Sequence, residues 1–224
     1  MKSALLSAPQ PPPSRSRRLR RAALSDFAAK YARFFWAGLV KHGQTGGIVP
    51  SQRFLIEKMI ASVPEAYSGR LVELGAGTGA LTFRLAARCP AARILACEIN
   101  PALARDLGRN LKNAGLGDRV ELFAGSATQL LSNLDNGNAP RPDFVISGIP
   151  LGNMGRERAH ALIGSVRRVL SEKGRYIQFQ HSLLDRKKIR MCFPHLRTTP
   201  VLLNFPPAVV YCAFKSAPAG VQPA

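Results

Sequence analysis

From residue 70 onward, short apolar runs alternate with longer stretches in which apolar residues recur every three or four positions. The first pattern predicts buried strands and the second amphipathic helices. Strands are expected at 70–74, 93–98, 120–123, 143–147 and 175–180. Helices are expected at 80–88, 101–114, 128–134 and 156–170, with Pro101 suited to a first helical turn. The polar stretch 135–142 and Gly174 read as loops. Two β-rich runs, 200–205 and 208–214, flank Pro206-Pro207 with no room for a helix between them, so they read as an antiparallel hairpin at a sheet edge. Strands alternating with helices imply an α/β fold with a mostly parallel sheet covered on both faces.

The chain ahead of residue 70 reads differently. Leu24, Phe27, Tyr31, Phe34, Phe35 and Leu39 share one face of a predicted helix, with Lys30, Arg33 and Lys41 on or beside its polar side. Gly43, Gly46, Gly47 and Pro50 break it, and Ser51 is placed to cap a second helix reaching about residue 62. Four prolines within residues 9–13 exclude a helix there, and residues 14–21 are nearly all Arg and Ser. The expected organisation is a basic, Pro-rich disordered tail over 1–21, a helical extension over 22–62, the α/β domain over 63–215 and a loose tail over 216–224.

Composition adds a partner class. The 224 residues carry a net charge of +19, and 46% are hydrophobic, enough for a packed core. Residues 1–50 hold nine cations and one anion, Asp26. A second cluster over residues 173–197 holds seven cations against Asp185. Such an excess points to an anionic partner, either a membrane surface or nucleic acid. No apolar run is long enough to span a bilayer, which leaves a soluble or peripheral protein as the expectation. Cys89, Cys97, Cys192 and Cys212 form no CxxC, and His42, His160, His181 and His195 show no ligand spacing, so no metal site is expected. Four reduced thiols in the cytosol are the simpler reading.

The strongest local signal runs Leu71-Val72-Glu73-Leu74-Gly75-Ala76-Gly77-Thr78-Gly79-Ala80-Leu81-Thr82. A buried strand ends in an acid, and a glycine turn opens a helix. Gly75, Gly77 and Gly79 let backbone approach a ligand closely. The third glycine falls one position early for the G-x-G-x-x-G dinucleotide fingerprint. Glu73 would repel a pyrophosphate but suit a cationic amino acid or sulfonium. Glu98 ends the next strand, where a carboxylate accepts both hydroxyls of a ribose. An adenosyl ligand without a diphosphate meets both demands, and S-adenosylmethionine is such a ligand.

Residues 73–82 and 97–100 resemble the first two cofactor motifs of class I methyltransferases, over a region spanning about residues 44–215. The resemblance implies a Rossmann-like seven-stranded sheet whose last strand is antiparallel. It also implies that Gly125-Ser126-Ala127 contacts adenine, with Ser126 standing where many relatives carry Asp. At the fourth strand's end, Ser147-Gly148-Ile149-Pro150-Leu151 faces the transferred methyl. Adenine and glutamine methylases carry Asn or Asp there, with Pro-Pro and an aromatic ring after it. Ser147 and Leu151 replace the amide and the ring. The turn instead resembles that of the bacterial phospholipid N-methyltransferase family. Residues 46–51, 174–179 and 204–208 and the aromatic amphipathic segment resemble the same family. Ribosomal RNA adenine dimethyltransferases are the next closest family.

The resemblance implies methyl transfer from S-adenosylmethionine to the amine of phosphatidylethanolamine. Glu73, Gly75, Gly77, Gly79, Glu98, Ser126 and Ala127 would bind the cofactor, and Ser147, Gly148, Ile149 and Pro150 the substrate. No general base stands out, and of the four histidines only His181, after the fifth strand, is expected near the cleft. The expected partners are a phospholipid substrate and an anionic membrane surface, with RNA methylation as the alternative. The family points to a cytoplasmic protein on the inner membrane. The acid-poor, Arg- and Ser-rich start also has the composition of a transit peptide. The Arg186-Lys187-Lys188-Arg190 run is either a solvated helix face or an anion site, and Trp36 is either a core or an interfacial residue.

Overall fold

The computed structural model describes residues 50–216 apart from 138, 139, 182 and 205. The expected tails and the 24–39 helix lie outside the described residues. Seven strands form one sheet in the order β3-β2-β1-β4-β5-β7-β6. They are β1 (Arg70–Leu74), β2 (Arg93–Glu98), β3 (Val120–Ala124), β4 (Phe144–Ser147), β5 (Arg175–Gln180), β6 (His195–Val201) and β7 (Ala208–Phe214). The first five are parallel. β7 runs antiparallel to β5, and β6 pairs only with β7. This is the Rossmann-like arrangement expected, with the hairpin at the edge.

Helices cover both faces. On one lie α1 (Pro50–Ile60), α2 (Ala80–Arg88) and α3 (Pro101–Asn113); on the other lie α4 (Ala127–Asn136), α5 (Arg156–Val169) and the short α6 (Arg186–Arg190). The first face buries Leu55, Met59, Leu85 and Leu107 against Leu71, Ile94 and Ile146. The second buries Leu131, Ile163, Val166 and Phe193 against Val72, Leu74, Val145 and Tyr176. Alternate residues of β1 thus enter opposite cores, as a strand buried on both faces requires. All four cysteines are free thiols. Among the described residues, no helix is long and apolar enough to cross a membrane.

One element departs from its expected place. The run 200–205 was expected as a strand, but β6 occupies His195–Val201 and Leu202-Leu203 form a turn. An edge strand needs only one ladder partner and half a buried face, so His195, Arg197 and Pro200 serve where apolar periodicity is absent. The leucines that imitate a strand are left in solvent, 76% and 72% exposed. Helix α4 also runs to Asn136, two residues past the expected end, an ordinary boundary shift.

Candidate active site

The order of the sheet reverses between β1 and β4, and ligands of open α/β sheets bind beyond the strand ends at such a point. Two glycine-bearing turns meet there. Gly148 N–H donates to the Leu74 carbonyl at 2.9 Å. A Cβ on Gly148 would lie 3.3 Å from the Gly75 carbonyl oxygen, so the approach is close. Gly75, Gly77 and Gly79 have φ of +81°, +58° and +88°, a region L side chains rarely adopt. A Cβ on Gly79 would also fall 2.4 Å from Leu107 Cδ1. Gly79→Ala is therefore expected to cost about 2–4 kcal/mol from backbone strain and overpacking, read by chemical denaturation.

The two acids lie at either end of this loop, and both are 1% exposed. Glu98 is engaged on both oxygens: Gly77 N–H donates to Oε2 and Asn100 N–H to Oε1, each at 2.7 Å. The carboxylate thus ties the glycine loop to the start of α3, where Asn100 caps the helix by accepting from Ala102 and Leu103 N–H. Each oxygen retains lone-pair capacity, and Glu98 lines a cavity of about 670 Å³ with Cys97, Ile99, Gly125, Ser126 and Ala127. Glu73 accepts one hydrogen bond, from Thr82 Oγ1 at 2.7 Å. Burial, assisted by the charge of Glu98, raises its pKa from the usual carboxyl range to about 8 against the opposing pull of Thr82. Glu73 faces a smaller cavity, of about 60 Å³, walled by Leu55, Ile56, Met59, Leu81 and Phe179. Gly75 borders both spaces.

The donor set fits S-adenosylmethionine. A buried acid without a cation beside it lies at one end, and a second carboxylate on the wall of the larger cavity, with lone-pair capacity left on each oxygen, lies at the other. Ser126 lies on the wall of the larger cavity, but its hydroxyl caps α4 by accepting Gln129 N–H at 3.2 Å. Ala127 is on the same wall.

On the acceptor side, Gly148, Ile149 and Pro150 line the cavities. Ser147 is fully buried, and its hydroxyl accepts Ile149 N–H at 3.2 Å, shaping the turn from within. Sequence reasoning did not single out what holds this turn. Gln178 Nε2 donates to the Ile149 carbonyl at 3.0 Å, Gln180 Nε2 does so at 3.2 Å, and Tyr176 O–H donates to Gln178 Oε1 at 2.6 Å. Two amides in a strand buried on both faces were the available signal, since buried polar groups need partners. Behind the turn, Lys188 donates to the Leu151 carbonyl at 3.1 Å and pairs with the buried Asp185 at 2.7 Å. His181 closes β5 with Nδ1 3.1 Å from the Pro207 carbonyl, and burial holds its pKa below the ordinary value. No cluster of metal-ligating side chains occurs among the described residues.

Known proteins share this fold. Residues 71–174 match the family model of a methyltransferase domain. The precorrin-6y C5,15-methyltransferase of Geobacter metallireducens superposes with a TM-score of 0.60 at 18% identity, covering 77% of this chain and 93% of that one. An O-methyltransferase from Bacillus cereus, solved in complex with SAH, gives 0.58 at 15% identity, covering 80% and 90%. Residues 71–174 thus have the character of a methyltransferase domain, on a fold shared with S-adenosylmethionine-dependent methyltransferases. Among named relatives it is similar to the ornithine lipid N-methyltransferase of Singulisphaera acidiphila, 29% identical over 191 residues, which cover 84% of this chain and 95% of that protein.

Proposed function

We propose that this enzyme methylates the primary amine of a membrane lipid, with phosphatidylethanolamine as acceptor. The observation that carries the reading is the turn over residues 147–151. A site for a planar nucleobase amine needs a free carbonyl and a stacking ring at this turn. Here the Ile149 carbonyl is already held by Gln178 and Gln180, and Leu151, in the place of the ring, is fully buried. Likeness to an ornithine lipid N-methyltransferase over most of both chains supports the same acceptor class and makes ornithine lipid the second acceptor to test.

S-adenosylmethionine supplies an activated sulfonium methyl, so the protein's part is alignment and charge. Glu98 would hold the ribose hydroxyls, Glu73 the cationic end, Gly75, Gly77 and Gly79 the backbone cradle, and Ser126 and Ala127 the adenine side. Gly148, Ile149 and Pro150 would position the amine. The acceptor ammonium, with a pKa near 10, must lose its proton before attack.

Incubation of the full-length protein with methyl-labelled cofactor tests the reading. Vesicles containing phosphatidylethanolamine, vesicles containing ornithine lipid and ribosomal RNA are the three acceptors. Label on the phosphatidylethanolamine amine is expected, and label in RNA alone would refute a lipid acceptor.

The basic N-terminal segment is proposed to hold the enzyme on the cytoplasmic face of the inner membrane. Each cation near an anionic surface contributes about 1 kcal/mol. Removing residues 1–41, which carry nine cations, is therefore expected to abolish binding to phosphatidylglycerol-containing vesicles at physiological salt, and the binding of the intact protein should fall as salt rises. Equal co-sedimentation of both proteins across a salt series would exclude this segment as an anchor.

A further inference from the structure

Six large apolar side chains are exposed among the described residues, and three of them, Leu183, Leu202 and Leu203, lie in two turns on one edge of the sheet. The topology fixes that edge. β5 is parallel to β4, so its end at Gln180 lies on the side of the glycine loop and Gly148. Gln180 pairs with Val209 at the start of β7, and Val201 at the end of β6 pairs with Ala208. The β6–β7 turn and the turn over 183–185 therefore both lie at the end of the sheet that carries the active site, and a His181–Pro207 contact links the end of β5 to the start of β7.

The β6–β7 turn is inverted relative to an ordinary surface loop. Its amide residue, Asn204, is 1% exposed and donates to the Pro206 carbonyl at 2.6 Å, while its two leucines stand out in solvent. The leucines are thus presented by a turn pinned from inside. Leu183 leads directly into α6, whose Arg186, Lys187 and Arg190 are exposed; its neighbouring acid, Asp185, is buried and paired with Lys188. Apolar tips flanked by uncompensated cations match an anionic bilayer surface, where side chains enter the acyl boundary and cations remain among the headgroups.

We infer that Leu202 and Leu203, with Leu183 and the cations of α6 beside them, form a docking edge that inserts into the bilayer and sets the active-site mouth against the headgroups. This rests on the lipid-acceptor reading for its purpose, though not for its geometry. It is separate from the 1–41 segment proposed above as the anchor; the leucine edge acts at contact and fixes orientation.

The test uses full-length protein and vesicles of phosphatidylethanolamine and phosphatidylglycerol. Trp36 is the single tryptophan, so Leu202→Trp in a Trp36→Phe background gives one reporter. Its emission is expected to shift blue on adding vesicles and to be quenched by acyl-brominated lipid. The double variant Leu202→Gln, Leu203→Gln is expected to partition at least tenfold more weakly, with unchanged S-adenosylmethionine affinity by calorimetry showing that the fold and cofactor site are intact. Unquenched fluorescence, or equal partitioning of the double variant, would overturn the docking edge. So would a reporter already buried without lipid and released by deleting residues 1–41, because the chain's own N-terminal segment would then cover the leucines. Quenching without methylation of any lipid would uphold the edge and refute the acceptor assignment instead.

Discussion

Glu73→Gln is expected to make the cofactor-free protein more stable at neutral pH while depriving it of cofactor affinity. The sign follows from the raised pKa. An unfolded chain ionises this carboxyl near 4.5, whereas the folded protein does so near 8. Between those values the folded state holds the extra proton, so the stability of the wild type falls as pH rises. The penalty is absent below about pH 4.5, grows through neutrality and is complete above about pH 8. At about 1.4 kcal/mol per pH unit it reaches on the order of 3 kcal/mol by pH 7. Glutamine keeps the shape and can still accept the Thr82 hydroxyl, but it has no charge to desolvate. Thermal denaturation from pH 5 to pH 9 should show the variant gaining on the wild type with rising pH. Binding moves the other way, since the cationic end of S-adenosylmethionine would pair with the ionised acid. Calorimetry at pH 7 in buffers of different ionisation enthalpy should detect proton release by the wild type and none by Glu73→Gln, with affinity reduced about a hundredfold near pH 8. Undiminished binding by the variant would mean that Glu73 does not meet the cation.

Glu98→Gln is expected to weaken S-adenosylmethionine binding about a hundredfold or more. Both carboxylate oxygens already accept a backbone N–H. Glutamine has one oxygen and one NH₂, so it must turn a donor against either Gly77 or Asn100. The protein donor left unpaired is unpaired with or without ligand and costs stability, whereas both ribose hydroxyls would lose a charged acceptor. Two hydrogen bonds to a charged group, at about 1.5 kcal/mol each, give the stated factor. Isothermal calorimetry on folded variant protein measures it. A change under threefold would remove Glu98 from the ribose site.

The expected elements agree closely with the structure where a signal was carried locally. β1, β2, β5, β7 and α2 begin and end where alternation, glycine and proline place them. The paired acids were legible because a carboxylate at the end of a buried strand conflicts with its apolar neighbours, and such conflicts cluster at functional sites. The misplaced β6 shows the converse. Leu202 and Leu203 have strand-like composition, yet an edge strand tolerates polar residues and prolines, so hydrophobic pattern alone could not place it. The glutamine clasp on Ile149 was hidden for another reason. Its residues are 29 and 31 positions from the carbonyl they hold, and only the pairing of β4 with β5 brings them together. Ser126 was visible as a motif position, but its capping bond to Gln129 belongs to the local geometry of α4.

The bond between Gly77 and Glu98 bears on how quickly the cofactor is captured. The Glu98 carboxylate latches the loop from within the protein, with its glycines in left-handed conformations. A cradle held by the protein's own bonds gives a simple encounter. In stopped-flow mixing, the observed rate constant should rise linearly with S-adenosylmethionine concentration and reach no plateau, as expected when the competent conformation is already dominant. Unlatching the loop, as in Glu98→Gln, should introduce a slow, concentration-independent phase while the lost population re-forms.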